Sequence, residues 1–351
     1  MVTKILKIDN ELADFDTEFK IAAETIMAGG LVVFPTETVY GLGADATNPQ
    51  AVKNIYTAKG RPSDNPLIIH VSNPSDAEKY AYTNAVFYKL ADKFMPGPIT
   101  VVLDAKDTVP AITRGGLDTV AVRCPENKIA RELISRSGVG IAAPSANLSG
   151  TPSPTTPAHV INDMNGRVDV IIDGGRCEFG LESTIVKIEK DGSLVLLRPG
   201  KITVDDLLTV VNEVRLADSV TDKLKDGEVA LSPGMKYRHY APKASLILVD
   251  AEADDFIAFV GEKCARGVGV ISYTDLIPRF EEMIDAEFIF DFGKDGDELT
   301  QANRLFDILR ETDKIDLSVI YAPLPKISGI GLALYNRMIR AAAHKIVRLR
   351  R

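Results

Sequence analysis

Residues 20–60 read KIAAETIMAGGLVVFPTETVYGLGADATNPQAVKNIYTAKG, and the order of patterns inside them decides the fold class. Apolar residues recur at helical spacing over 20–28 until the Gly29-Gly30 pair stops them. Residues 31–34 form a short apolar run of the kind a buried strand carries. A polar segment follows, and helical spacing returns over 51–58, ending at Gly60 and Pro62. Helix, strand and helix in this order predict α/β architecture.

The alternation continues outward. Strands are predicted over 66–71, 99–103, Thr119–Arg123 and 139–143, and helices over 86–94 and 128–135. Three more strands, 168–172, 183–188 and 194–197, are spaced closely enough to suggest antiparallel pairs. The first 200 residues therefore read as a mixed sheet with helices on it, not a pure doubly wound fold. The pattern breaks near Asp205, where 205–215 reads as one more helix. Residues 217–243 have little apolar periodicity and carry Pro233 and Pro242, so they read as a linker or a functional loop. Beyond them come strands at 244–249, 268–273, 287–291 and 317–322, with helices at 253–266, 297–313 and 331–348. That is a smaller α/β domain with a parallel sheet. The expected organisation is a catalytic domain at 1–215, a linker or lid at 216–243 and a second domain at 244–351.

Composition excludes several classes. The 351 residues suffice for about two domains. Forty-one Lys and Arg against 49 Asp and Glu leave a net charge of −8, which argues against a protein that coats nucleic acid. Apolar stretches such as 31–34 and 246–249 fall far short of the ~20 residues a membrane helix needs. The opening MVTKILKIDNELADFD turns acidic too soon for a signal peptide, so a cytoplasmic protein is expected. Cys124, Cys177 and Cys264 form no CxxC, which suggests neither a zinc site nor a disulfide framework. His70, His159, His239 and His344 show no metal spacing, and nothing supports a Cys–His nucleophile. No Walker loop, GxSxG or HExxH is present. Gly138-Val-Gly140-Ile-Ala-Ala143 matches GxGxxA as a string but follows a helix and enters a strand, the reverse of the dinucleotide context.

Polar segments at strand ends carry the candidate chemistry. FPTETVYG (34–41) sets hydroxyls and a carboxylate just past a buried strand; its threonines either cap local backbone or face a ligand. KGRPSDNP (59–66) puts two cations around a glycine at a helix end, for dipole compensation or as a phosphate clamp. APSANLSGTPS (143–153) is a surface turn or an anion-binding loop. Arg198 ends a strand, and 236–240 read Lys-Tyr-Arg-His-Tyr, dense for a tether. The basic positions from Arg337 to Arg351 either touch nucleic acid or complement a helix dipole.

In order and wording these segments resemble the long form of the YrdC-like family, the threonylcarbamoyl-AMP synthases. The resemblance rests on PTETVYGLG (35–43), KGRPSDNPL (59–67), PGPITVVL (96–103), VAVRCP (120–125) and PSANLSGTPSPT (144–155). ESTIV (182–186), RPG (198–200), SPGMKYRHYAP (232–242) and GIGLALYNRMIRAA (329–342) complete it, so it spans essentially the whole chain. It implies a YrdC-like mixed twisted sheet and a smaller Rossmann-like C-terminal domain. The implied reaction joins L-threonine, bicarbonate or CO2 and ATP into threonylcarbamoyl-AMP and pyrophosphate, for modification of a tRNA adenosine by a downstream transferase machinery. Threonine's amine becomes a carbamate, whose oxygen attacks the α-phosphorus.

By the same resemblance, Lys59 and Arg61 are the catalytic cations on the triphosphate, with Asn65, Ser145, Asn147, Ser153, Arg198 and Thr119 also on ATP. Tyr237 folds over the nucleotide, with Tyr240 and His239 as second choices. Arg123 takes the threonine carboxylate; Thr36, Thr38, His70, Ala143 (through its backbone) and Ser183 line the rest of that pocket. Mg2+ arrives with ATP, its protein ligands unidentified. Two readings compete: an RNA-binding, translation-associated module without adenylating activity, and a carbamoyl-transfer or hydrolytic enzyme on the same domain. The charge of −8 weighs against the first, the long second domain and the linker tyrosines against the second.

Overall fold

The computed structural model describes residues 1–9, 15–221 and 240–349. The chain divides into two units, Met1–Ser149 with Ser153–Lys236, and Gly150–Pro152 with Tyr237–Arg351.

The first unit is built on an 11-stranded sheet. Its order is Lys4–Lys7, Val170–Asp173, Val32–Phe34, Gly41–Asp45, Ile141–Ala143, Ile68–His70, Thr119–Arg123, Ile99–Asp104, Thr184–Ile188, Leu194–Arg198 and Val214–Leu216. It holds both parallel and antiparallel pairs, with three antiparallel pairs in a row from Val32–Phe34 to Ile68–His70, so the sheet is mixed, as the sequence predicts. Helices Asp16–Met27 and Lys128–Ser137 cover one face over Phe34, Ile141, Ala143, Val170 and Ile172. The helix Asp16–Met27 buries Phe19, Ala22, Ala23 and Ile26 at the spacing of one helical face.

The second unit carries a five-stranded sheet in the order Ile289–Asp291, Val268–Ser272, Val319–Pro323, Ser245–Asp250 and Ile346–Arg348. Every pair in it is parallel. The helix Glu298–Thr312 buries Leu305, Phe306, Ile308 and Leu309, and Tyr240 stacks on Phe306 with ring centroids 5.1 Å apart.

Several expectations are corrected. The helix predicted at 205–215 stops at Val204–Leu208, and Val214–Leu216 is a strand beside Leu194–Leu196. Cross-strand pairing there overrides the helical spacing. The helix predicted at 331–348 ends with Gly331–Ala341; Ala343 and His344 take positive φ of 50° and 63°, and Ile346–Arg348 becomes an outer strand beside Leu248–Asp250. The β-branched Ile346 and Val347 suit that role. Val170–Asp173 does not pair with the strand that follows it; it lies parallel to Lys4–Lys7 and Val32–Phe34. Only Thr184–Ile188 and Leu194–Arg198 form the antiparallel pair expected in that stretch. Among the elements that went unread are Lys4–Lys7, Gly41–Asp45 and the helices Pro157–Met164 and Ile277–Glu281. Glycines hide the second of these, since they carry little strand propensity. At Gly43 a Cβ would come within 2.6 Å of Ile141 and 2.7 Å of Phe34, so the core excludes a side chain there.

Gly200 is equally constrained, by backbone rather than side chains. A Cβ there would lie 2.4 Å from Thr184 N and 2.9 Å from Glu182 O. Gly200→Ala is therefore expected to cost about 1–3 kcal/mol of stability. Urea unfolding would read this as a lower midpoint at unchanged slope.

Candidate active site

Among the described polar segments singled out in the sequence, 34–41, 59–66 and 143–149 meet in the first unit through bonds between their backbones. Leu42 N donates to Pro144 O, Ala146 N to Tyr40 O and Tyr40 N to Pro154 O, which seats the 144–155 loop on the 35–42 segment. Phe179 N donates to Glu37 O, Gly180 N to Thr38 O and Cys177 N to Thr155 O, which adds the 174–183 loop. Irregular chain can be buried here because its amides find carbonyls on neighbouring loops.

Lys59 ends the helix Pro49–Lys59 and is 2% exposed. Its Nζ donates to Ser145 O and Asn147 O, both at 2.5 Å, and approaches Asn147 Oδ1 at 3.3 Å. Ser149 N returns a bond to Lys59 O at 2.9 Å. The lysine thus holds the loop of Ser145 and Asn147 instead of neutralising its own helix end. Ser145 Oγ donates to Asn147 Oδ1 at 2.5 Å. Arg61 lies close by, its Nη2 3.4 Å from Pro66 O. Asn65 is 1% exposed, and its Oδ1 has no hydrogen-bond partner among the described residues. Ser153 Oγ donates to Glu182 Oε1 at 2.6 Å.

A second group gathers around Arg123. Register sets His70 directly opposite Arg123, so both project from the same face of the sheet. Arg123 Nη2 lies 2.7 Å from Glu37 Oε1, an ion pair with 4% and 5% side-chain exposure. Thr36 and Thr38 share a 2.8 Å hydroxyl contact, and Thr36 Oγ1 also donates to Val39 O and accepts from Val39 N. The local-cap reading thus holds for Thr36. Ser183 Oγ contacts Thr100 Oγ1 at 2.8 Å and accepts from Arg198 Nη2 at 3.1 Å. Arg198, expected with the nucleotide group, is therefore placed on Ser183. Ala143 ends its strand opposite Ile68. Thr119 begins the strand that Arg123 ends, about 13 Å away at strand rise. Tyr237 and His239 lie outside the described residues. Tyr240 is 5% exposed in the second unit, against Phe306 and under the Arg337 guanidinium, so it serves that core rather than a lid.

Sequence reasoning quoted Glu37 without giving it a role, and missed Thr100 and Glu182. The signal for Glu37 was a lone carboxylate among hydroxyls in a segment entering buried chain.

Burial raises both site thiols, Cys124 to about 11 and Cys177 further, so neither is a thiolate at neutral pH. Burial, then the Arg123 charge, lowers His70 to about 3 and keeps it neutral. Among the described residues no cluster of His, Cys, Asp or Glu could hold a metal ion, and no helix is long and apolar enough to cross a membrane. The depressed His70 value gives stability a pH dependence. Between about 6.5 and about 3 the unfolded chain binds a proton that the folded chain refuses, so stability falls as pH falls. Urea unfolding from about pH 7 to about pH 4 is expected to show a shallower decline in His70→Gln than in the native protein.

A family model described as telomere recombination matches residues 24–200, and one described as threonylcarbamoyl-AMP synthase, C-terminal domain, matches 202–343. The threonylcarbamoyl-AMP synthase of Pyrococcus abyssi is 41% identical over 355 residues, covering 99% of this chain and 100% of that protein. That of Bacillus subtilis is 39% identical over 345 residues, covering 97% of each. The crystal structure of P. abyssi Sua5 complexed with L-threonine superposes with a TM-score of 0.89 at 41% identity, over 99% of this chain and 100% of that one. With both halves matched, and loops pinned together as described, this chain belongs to the Sua5/YrdC family of threonylcarbamoyl-AMP synthases.

Proposed function

We propose that this protein joins L-threonine, bicarbonate or CO2 and ATP into threonylcarbamoyl-AMP and pyrophosphate, in the cytoplasm, supplying a tRNA threonylcarbamoyl-transferase machinery. The reading is carried by full-length similarity to proteins of that name. It favours the synthase over an RNA-binding module of the same fold.

The chemistry suits the residues. A carbamate oxygen is already anionic, so its attack on the α-phosphorus needs no strong base, and the neutral His70 and protonated thiols offer none. The demand is for charge neutralisation and alignment. Lys59 and Arg61 supply positive charge beside the 145–147 loop, and Asn65, Ser145, Asn147, Ser153, Thr119 and Arg198 complete the ATP site. Mg2+ would arrive with ATP and would help to shield the phosphate charge, alongside Lys59 and Arg61. Arg123 takes the threonine carboxylate. Thr36, Thr38, His70, Ser183 and the Ala143 backbone form the slot for the hydroxyl and methyl. Between domains at 1–215 and 244–351, residues 216–243 act as linker and lid, with Tyr237 rather than the core residue Tyr240 over the nucleotide.

Pyrophosphate release by the purified protein is expected to require ATP, bicarbonate and L-threonine together. Valine, which lacks the hydroxyl, should turn over far more slowly, because it leaves buried polar groups unpaired. A folded, ATP-binding protein that releases no pyrophosphate in response to threonine would sink the reading. Arg61→Ala is expected to lower kcat/KM by roughly 10²–10³. Lys59→Ala should lose stability as well, since it strands the loop carbonyls.

Tyr237→Ala is expected to lower kcat while leaving the unfolding midpoint unchanged. Wild-type turnover in that variant would remove the lid.

A further inference from the structure

We infer that Glu37 receives the α-ammonium of the amino-acid substrate, so that Glu37 and Arg123 together read a zwitterion. The inference rests on the reading that Arg123 takes the substrate carboxylate.

The argument starts from the ion pair. Its members approach to 2.7 Å with 4% and 5% of their side chains exposed. Yet neither oxygen of Glu37, nor Nε or Nη2 of Arg123, makes an aligned hydrogen bond to any described residue. A buried pair kept for structure alone normally gives its remaining valences to backbone or hydroxyl groups, because unsatisfied buried charges are costly. Here the neighbouring donors are committed elsewhere. Thr38 N and Val39 N donate to Thr36 Oγ1, and Phe179 N donates to the Glu37 carbonyl rather than its carboxylate. The hydrogen-bonding capacity of both charged groups is left for something that arrives.

The charge pattern names the class of arrival. A simple carboxylic acid bound to Arg123 would be repelled by Glu37 beside it. An α-amino acid carries opposite charges on neighbouring groups and can lie head to tail along the pair, so that each charge meets its opposite. Arg198 is a second buried cation nearby, with its Nε and Nη2 bonded to Ser183; the other pocket groups carry no charge. Thr36, Thr38 and Ser183 are neutral hydroxyls, His70 is held uncharged, and Cys124 and Cys177 stay protonated. Glu37 thereby selects substrates that keep their amine, the group on which carbamate formation depends.

Calorimetric titration with L-threonine and with 3-hydroxybutyrate, which keeps the carboxylate and hydroxyl but lacks the amine, tests this. The native protein is expected to bind threonine at least about 10-fold more tightly than 3-hydroxybutyrate. Glu37→Gln should weaken threonine binding by about 10–100-fold. It should leave 3-hydroxybutyrate unchanged or bind it more tightly, with ATP affinity unaltered as the check on folding. Equal weakening of both ligands would mean that Glu37 only positions Arg123 and would overturn the inference, as would unchanged threonine affinity. If the variant does not fold, the native protein decides: equal affinity for the two ligands refutes the inference, and discrimination supports it. A native protein that binds ATP but no threonine would overturn the proposed function first, and this inference with it.

Discussion

The ammonium of Lys59 lies where the last turn of a helix meets the 145–147 loop, and the arrangement of the first unit's polar face depends on it. The 145–147 loop, Ser-Ala-Asn, has only the small Ala146 side chain to bury as apolar surface. It is held in place by bonds from one buried cation to Ser145 O and Asn147 O, and by Tyr40 and Leu42 on its other side. A charge-assisted hydrogen bond is stronger than a neutral one, and two of them on one loop fix its position with little chain. The same group that anchors the loop brings positive charge to it. Under the proposed function, loop anchoring and phosphate charge neutralisation would fall to the same side chain.

The mixed sheet makes this possible. In an all-parallel sheet the loops at one end all follow strands, whereas here Gly41–Asp45 and Ile141–Ala143 run antiparallel to each other and to the strands on either side. Their reversal brings the loop after Ala143 back over the segment before Gly41 and lets the two pair through backbone. The loops then bury polar side chains without orphaning their amides. Among the exceptions in these segments are the ion-paired Glu37 and Arg123, and Asn65, each with buried polar atoms that make no aligned hydrogen bond to a described residue. A buried polar atom without an aligned hydrogen bond calls for an explanation, and the proposed threonine site supplies one for Glu37 and Arg123.

Much of this was legible in sequence. The helices Asp16–Met27, Pro49–Lys59 and Glu298–Thr312 announce themselves by apolar spacing, and their bounds lie within a few residues of expectation. The family resemblance, carried by the ordered motifs, is borne out along the whole chain. The failures have a common cause. The 205–215 and 331–348 segments have helical spacing, but strand partners were waiting at Leu194–Leu196 and Leu248–Asp250, and pairing with a distant segment leaves no trace in local periodicity. Gly41–Asp45 failed for the converse reason. Its glycines answer to Phe34 and Ile141 rather than to strand propensity.

Sequence alone determined which residue types gather at strand ends, the α/β class, the two-part organisation of the patterning and, through the wording of its motifs, the family. It could do so because local spacing and motif order are written along the chain. Only the tertiary structure decided that Lys59 grips the 145–147 loop, that Arg198 rests on Ser183, and that Glu37 faces Arg123 across 86 positions of sequence. Charge pairing in a buried site depends on distance and desolvation, and neither exists until the sheet has brought those segments together.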